Sequence, residues 1–259
     1  MTDLLTAFDA EMRGHEPDDL PLGAICEKDG PIWRVSGLPW GGFIGYHRDL
    51  GGLDGPDLDA FIARQRDFYA ARGERFEWKT YAHDLPADLP DRLLAAGFEA
   101  EDPETVVVGE VGPLAVACDP PAGVTLREVT SPADLARIVA MEEAVWGVDR
   151  SDLAEGLLGE LAADPAGLTI VVAEADGLVV SAAWIRFGAR SFASLWGGAT
   201  LAEWRRKGIY RALVAYRARL AHARGYAYLQ VDASEDSRPI LERLGLTPVT
   251  RTTPYIWRP

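Results

Sequence analysis

Three basic residues and a glycine, Arg205-Arg206-Lys207-Gly208, stand where an apolar segment gives way to an amphipathic one. If a strand turns into a helix here, several backbone N–H groups lack partners and point outward at the positive end of the helix dipole. The glycine lets an anion approach the backbone, and the basic side chains supply charge that suits a pyrophosphate. The stretch predicts an anion-binding site, and the alternative interpretation is a solvated basic turn.

The elements that would position this stretch are predicted from the spacing of apolar residues. Downstream, four of them recur at helical spacing and predict a helix with one buried face: Ile209, Leu213, Tyr216 and Leu220. Gly225 suits the C-terminal cap of that helix. AYLQVDA then predicts a strand, and residues 238–244 predict a short helix that ends at Gly245.

Upstream, VTLREV predicts a strand and SPADLARIVAMEEAVW a helix. LTIVVAEADGLVVSAAWIRFG predicts two strands joined at Asp176-Gly177, which is a strong hairpin signal. SFASLWGGATL supplies a third strand that leads into the basic stretch. Residues 123–259 are therefore predicted to form an α/β unit with a mixed sheet.

The proline-rich segment VGPLAVACDPPAGV interrupts this periodicity and predicts a linker at residues 112–122, between domains at 1–111 and 123–259. Three short matches in the same order indicate that the two domains are copies of one unit. Trp40-Gly41-Gly42 matches Trp196-Gly197-Gly198, Ala71-Arg72-Gly73 matches Ala223-Arg224-Gly225, and Ala96-Gly97-Phe98 matches Leu244-Gly245-Leu246. We interpret the first domain as a shorter copy that lacks the first strand and helix.

The net charge of −14 disfavours nucleic acid as a partner, because phosphate binding depends on Lys and Arg. Residues 1–112 hold 23 acidic and 10 basic side chains, whereas residues 200–259 hold 5 and 11. An acidic N-terminus without a basic leader, and the lack of any run of about 18 apolar residues, predict a cytoplasmic protein with no membrane partner. Cys26 and Cys118 predict neither disulfide nor metal site.

The stretch AEWRRKGIYRALV resembles the acyl-CoA pyrophosphate loop of the GNAT superfamily of acetyltransferases, in which Arg or Gln is followed by two residues, Gly, one residue, and Gly or Ala. Arg205 and Gly208 fit this pattern, whereas Tyr210 departs from it at the final small position. The resemblance covers residues 123–259 in element order, and SRPILERLGL is similar to the family's late helix and Gly-Phe turn. It implies two tandem GNAT-like domains, the N-terminal one truncated and degenerate.

The resemblance implies acetyl-CoA as co-substrate. It places the strand residues Gly198, Ala199 and Thr200 beside the pantetheine arm, and Ser234 at the position of an Asn that contacts the cofactor. The remaining cofactor-binding residues that it implies form the loop and first helical turn: Arg205, Arg206, Lys207, Gly208, Ile209, Tyr210 and Arg211. Leu241 occupies the position where the family often has a Tyr that protonates the departing thiolate, so the usual general acid is missing.

The implied chemistry needs a group that removes a proton from an amine and one that protonates a thiolate. The candidates are Glu142, Glu143, Asp232, Ser237 and Tyr255. Each also has a structural interpretation. The two glutamates would lie on a solvated helix face, Asp232 and Ser237 would cap a turn and a helix, and Tyr255 would be a sheet residue.

The N-terminal copy has HRDLGGLDGPD where the second has the basic loop, and its Asp49, Asp54 and Asp57 would repel phosphate. We expect it not to bind CoA but to cover the sheet and shape an acidic acceptor cleft. The sequence therefore predicts an acyl-CoA-dependent N-acyltransferase that acetylates a small-molecule primary amine. A non-catalytic acyl-CoA-binding or sensing module is the alternative, and a monomer and a homodimer both remain open.

Two further residue types carry weaker expectations. His15, His47, His83 and His222 have no metal-ligand spacing and are expected to be ordinary polar residues. Trp40 and Trp196, at matched positions of the two copies, are expected to fill a core, because a repeated aromatic residue more often packs than binds ligand.

Overall fold

The computed structural model describes residues 3–17, 20, 23–188 and 191–259. The chain forms two compact units. The first spans the chain up to Val107 together with Asp232–Arg238 and Pro248–Pro259, and the second comprises Val108–Val231 and Pro239–Thr247. Among the described residues, no helix is both long enough and apolar enough to cross a membrane.

The first unit is built on a mixed sheet. Its elements are α1 (Leu4–Met12), β1 (Ile25–Asp29), β2 (Ile32–Ser36), β3 (Gly42–Tyr46), α2 (Gly55–Ala70), β4 (Phe76–Tyr81), α3 (Leu89–Ala95), β5 (Glu99–Ala100) and β6 (Glu104–Glu110), whose last residues belong to the second unit. β1, β2 and β3 pair antiparallel, and β3 pairs parallel with β4. Phe76 and Trp78 of β4 lie in an aromatic core with Tyr69 of α2 and Phe98.

The second unit follows the predicted order of elements, with three additions, which are two helices (Val111–Leu114 and Ser151–Ala163) and a 3₁₀ turn (Ala202–Trp204). Its elements are α4 (Val111–Leu114), β7 (Thr125–Val129), α5 (Pro132–Trp146), α6 (Ser151–Ala163), β8 (Leu168–Ala175), β9 (Leu178–Phe187), β10 (Phe192–Thr200), a 3₁₀ turn (Ala202–Trp204), α7 (Ile209–Ala223), β11 (Tyr228–Ala233) and α8 (Arg238–Leu244). β7 to β10 pair antiparallel in chain order, and β10 pairs parallel with β11. The predicted hairpin is confirmed, because Asp176 and Gly177 join β8 and β9 with φ of 49° and 79°.

The compact units do not follow the boundaries that we expected from chain order. The C-terminal strand β12 (Thr247–Trp257) pairs antiparallel with β4, from Thr252 opposite Tyr81 to Trp257 opposite Phe76, and so belongs mainly to the first unit. Part of the expected linker is ordered as α4, where Val111 and Leu114 are buried. Strand partners are decided by register and packing, which a break in periodicity does not reveal.

The internal repeat is visible within each unit, but one of the three matches joins non-equivalent positions. In the first unit, Gly42 opens β3 and pairs with Phe76. In the second, Gly197 and Gly198 lie in the latter half of β10, beyond the part that pairs with β11. The other two matches fall at the ends of equivalent helices, α2 with α7 and α3 with α8. The Trp-Gly-Gly match is therefore wrong as a structural equivalence. The first unit also opens with α1 and a β1–β2 hairpin, which the sequence did not predict.

Candidate functional site

Strands β10 and β11 separate part-way along their length. Their parallel pairing runs from Phe192–Tyr228 to Ser194–Gln230, whereas β10 continues to Thr200. A bulge between Gly197 and Ala199 interrupts the pairing of β10 with β9 on its other side. Bulges re-aim the backbone of a strand and are frequent beside ligand sites. This divergence leaves room beside β10 for an extended ligand.

Both glycines at the bulge are required by their surroundings. Gly197 and Gly198 have φ of 67° and 96°, in the left-handed region that favours glycine. A Cβ atom on Gly197 would lie 2.5 Å from the Trp184 ring, and one on Gly198 would lie 2.7 Å from Cε2 of Tyr210. Tyr210 therefore packs its ring onto Gly198. This contact explains how a large residue is accommodated at the position where the resembled loop pattern has Gly or Ala.

The basic loop has the conformation expected of an anion site. Arg206 and Gly208 have positive φ, 60° and 90°, and turn the chain sharply into α7. The first hydrogen bond of α7 runs from Ala212 N–H to Gly208 O, so the helix itself does not use the N–H groups of its first turn. A Cβ on Gly208 would meet nothing within 4 Å, which leaves the backbone there open to a ligand.

The charges around the loop are almost entirely positive. Arg205, Arg206, Lys207 and Arg211 are exposed, and the first turn of α7 contains no acidic residue. Nε of Arg205 donates to Thr200 O at 2.9 Å, which ties the loop to the end of β10. Nζ of Lys207 lies 4.5 Å from the centroid of the Trp204 ring. The helix dipole and these side chains together favour a multiply charged anion.

The end of β10 is held by hydrogen bonds from Ser181 of the neighbouring strand β9. Oγ of Ser181 donates to Ala199 O at 2.6 Å and lies 2.9 Å from Oγ1 of Thr200. The backbone of the predicted cofactor strand is thus fixed before any ligand binds. Pre-organisation of this kind lowers the entropic cost of binding.

Glu142 of α5 is buried rather than on a solvated helix face, so our structural interpretation of it was wrong. It is 3% exposed, and its Oε2 accepts a hydrogen bond from Nε1 of Trp146 at 2.7 Å. Its Oε1 is buried with no hydrogen-bond partner among the described residues. Burial raises the pKa of the Glu142 carboxyl above its usual value. This half-satisfied carboxyl makes Glu142 a candidate for proton transfer.

The other candidates on the second unit's helices fall closer to structural roles. Glu143 is half-buried, and its Oε1 accepts from the backbone N–H of Arg150 at 3.3 Å. Leu241, at the position of the family's general acid, is fully buried and carries no proton to donate.

Ser234, Ser237 and Tyr255 lie in the first unit. The N–H of Ser237 donates to Oγ of Ser234 at 3.3 Å, just before α8, so both serines form the turn that starts this helix. Tyr255 is 7% exposed in the aromatic core opposite Trp78, and burial raises its pKa. These contacts agree with the structural interpretations of Ser237 and Tyr255.

Asp232 takes part in an ion-pair cluster of the first unit that the sequence did not predict. Its Oδ2 accepts from Nζ of Lys79 at 2.9 Å, and Oε2 of Glu104 lies 3.8 Å from the same nitrogen. Lys79 shares one face of β4 with Glu77 and Tyr81, opposite the face that packs in the aromatic core. The signal in the sequence was the strict alternation of FEWKTY, but the partners of Lys79 come from distant segments.

Burial gives this cluster a pH-sensitive member. It raises the pKa of the Glu104 carboxyl to about 7, with the neighbouring Asp232 and Glu77 carboxylates adding to the rise and Lys79 opposing it. Burial likewise raises the pKa of Glu77. The positive charge of Lys79 therefore does not compensate for burial and for the neighbouring carboxylates. Glu104 keeps its proton into the neutral range.

The variant Glu104→Gln is expected to flatten the pH dependence of stability. Because the folded state raises this pKa above that of the unfolded chain, the stabilisation is complete below about pH 4.5 and is lost as pH rises through about 7. After a discount for the partial exposure of the Glu104 carboxyl, the free energy of unfolding falls by about 2 kcal/mol. Urea unfolding at pH 5 and pH 8 measures it. Glu99→Gln is the control, because the Glu99 side chain is 78% exposed, and it should show the same change in unfolding free energy between pH 5 and pH 8 as the native chain. If Glu104→Gln also showed the native change, the prediction would be contradicted.

Trp196 and His83 make different kinds of contact. Trp196 does not fill a core: it is 42% exposed, with its Nε1 donating to Oγ of Ser194 at 2.8 Å and Arg186 stacked on its ring. The packing prediction for it was wrong, because alternate residues of β10 face opposite sides of the sheet. His83 hydrogen-bonds to Asp9 and Thr250, and no group of metal-ligating side chains is found in the described part of the chain.

The diverging strands, the glycine bulge and the basic loop at a helix N-terminus lie within a fold of the GNAT type. Solved structures share this fold across most of the chain. A GCN5-related N-acetyltransferase from Kribbella flavida is 19% identical, with a TM-score of 0.66 over 90% of this chain and 89% of that one. A GCN5-related N-acetyltransferase from Sphaerobacter thermophilus is 14% identical, with a TM-score of 0.62 over 88% and 78%.

A tandem GNAT protein from the clavulanic acid biosynthesis pathway is also similar, at 16% identity and a TM-score of 0.61 over 92% of this chain and 84% of that one. No curated protein matches the chain in sequence. The family model described as "Acetyltransferase (GNAT) family" matches residues 135–246. This part of the chain is therefore similar to the GNAT acetyltransferases, a likeness that supports acyl transfer as a general activity.

Proposed function

We propose that the second unit binds acetyl-CoA and transfers its acetyl group directly to a primary amine of a small molecule. The observation that carries the proposal is the loop at residues 205–208, where two left-handed residues and exposed basic side chains meet the N-terminus of α7. This arrangement suits the pyrophosphate of CoA. The bulged strand β10 suits the pantetheine arm, with Gly198, Ala199 and Thr200 beside it.

In the reaction that we propose, the amine nitrogen bonds to the acyl carbon, the carbon–sulfur bond breaks, and the proton lost by the amine ends on the departing sulfur. The amine must be neutral to attack, so a carboxylate that accepts its proton accelerates the step. Among the candidates we favour Glu142, because it is buried, has a raised pKa and keeps one oxygen without a hydrogen-bond partner in the part of the chain that the structure describes. Asp232 is the second candidate.

We further propose that the acceptor is cationic before reaction. The acidic excess of residues 1–112 supports this idea. An acidic field raises the local concentration of a positively charged amine. The alternative function is a non-catalytic acyl-CoA-binding module, which the missing general acid at Leu241 favours.

The test is the release of free CoA thiol from acetyl-CoA in the presence of a panel of polyamines, aminoglycosides, amino acids and arylamines. We expect turnover with at least one cationic primary amine and none with its N-acetylated form. Binding of acetyl-CoA without turnover on any member would favour the binding module. A folded chain that does not bind acetyl-CoA would overturn both functions.

A further inference from the structure

Arg217 of α7 is a charged residue with no place in the functions described so far. It is 1% exposed, although its neighbours on the buried side of the helix are apolar residues such as Leu213 and Ala218. No carboxylate pairs with it among the residues that the structure describes. Burial lowers the pKa of its guanidinium to about 10, which reflects the cost of holding this charge away from water.

The guanidinium connects two neighbouring strands at one level of the sheet. Its Nη1 donates to Trp184 O of β9 and to Trp196 O of β10, both at 3.0 Å. Trp184 and Trp196 are directly opposite each other in the β9–β10 register. Nε of the same side chain donates to Leu213 O at 3.1 Å, one turn back on α7. A single side chain thus joins the helix to both strands.

Arg217 contacts β10 at Trp196, just before the bulge. Trp196 is followed at once by Gly197 and Gly198, whose left-handed backbone takes β10 out of regular pairing. Two consecutive glycines have the largest conformational freedom to lose on ordering, so this segment needs contacts that hold it. Charge-assisted hydrogen bonds to carbonyls are stronger than neutral ones. The hydrogen bonds of Arg217 that hold the bulge therefore offset the cost of burying its charge.

We infer that Arg217 is a positioning residue, which fixes the bulge of β10 and so aligns the backbone that receives the thioester end of the cofactor. The expected effect of Arg217 on catalysis rests on the proposed function, whereas its effect on the bulge of β10 does not. The pyrophosphate end of CoA would be held separately by the loop at residues 205–208. Loss of Arg217 therefore affects alignment for reaction more than cofactor affinity.

The experiment compares Arg217→Met, which removes the charge at similar volume, with Arg217→Lys, which keeps it. In Arg217→Met we expect faster amide exchange in the peptide covering residues 195–200, unchanged exchange in β8, and a kcat lower by about 100-fold, because small misplacements of reacting groups have effects of that size. The dissociation constant of CoA should change little. Arg217→Lys should recover part of both the protection and the kcat.

Arg219→Met is the matched control, since Arg219 lies on the same helix and stacks at 5.5 Å over Tyr216, whose hydroxyl donates to Glu128 of β7. It should leave exchange and kcat as in the native chain. Unchanged exchange at residues 195–200 in a folded Arg217→Met would overturn the inference, as would equal losses in CoA affinity and kcat. A native chain that fails to bind acetyl-CoA would overturn the proposed function instead, and the exchange measurement would still decide whether Arg217 holds the bulge.

Discussion

The double variant Arg205→Ala with Gly208→Glu is expected to abolish acetyl-CoA binding by the second unit. Arg205 ties the loop to Thr200 O and adds charge, while Gly208 has a φ of 90° and open space at its Cβ position. A glutamate there would strain the backbone and place a negative charge where the pyrophosphate is proposed to lie. Loss of a charge-assisted contact together with backbone strain amounts to about 4 kcal/mol, or roughly a thousandfold in affinity.

Isothermal titration calorimetry with acetyl-CoA measures this effect, and circular dichroism checks that the variant is folded. The first unit offers a matched control. Arg48→Ala with Gly55→Glu makes the same two changes around the N-terminus of α2, where Gly55 also has a positive φ and no atom near its Cβ position. The control should bind as the native chain does, because acidic residues surround that helix start. Equal loss in both variants would contradict a site at the basic loop.

Glu142→Gln is expected to lower kcat by about 100-fold, the low end of the effect of a positioned acid or base. The raised pKa of Glu142 sets the direction in which activity should change with pH. If Glu142 accepts the proton from the amine, it must be ionised, so native activity should rise with pH through the folded pKa, above the ordinary glutamate value of 4.5. In Glu142→Gln this acidic limb should disappear. Initial rates of acetyl-CoA consumption from pH 5 to pH 9 measure both effects.

The same variant should gain stability. A carboxyl whose pKa is raised by burial stabilises the fold less as pH rises through that pKa, so an uncharged glutamine at this site removes the penalty at neutral pH. Lower kcat with an equal or higher midpoint of thermal unfolding distinguishes a functional role from damage to the core. Glu143→Gln is the neighbouring control, and Asp232→Asn tests the other candidate. Loss of the acidic limb in Asp232→Asn alone would move the assignment to Asp232.

Glu142 and Arg217 illustrate one relation between burial and function. Each is an ionisable side chain almost fully buried without an oppositely charged hydrogen-bond partner in the described parts of the chain. Such groups cost stability, and sites of function are where that cost is commonly retained. Both lie in the unit that carries the basic loop. The two residues are therefore the first to test for roles beyond packing.

Local sequence patterns predicted several helices and strands of this protein correctly. The periodicity from Ile209 to Leu220 predicted α7, Asp176-Gly177 predicted the β8–β9 hairpin, and the bounds of α8 were predicted to the residue. The basic loop was also recognisable from sequence. These features depend on neighbours a few residues apart, where turn geometry and helical spacing decide the structure.

Tertiary structure alone decided which distant residues meet. It placed β12 beside β4, set Lys79 against Asp232, buried Glu142 and brought Arg217 under the β10 bulge. These outcomes depend on strand register and on which side of a helix faces the sheet. A one-residue change of register reverses the facing of every side chain in a strand, and no local pattern records the partner that selects the register. The basic residues and the glycine of the loop were therefore readable from the chain, whereas the burial of Glu142 and the contacts of Arg217 became visible only in the folded protein.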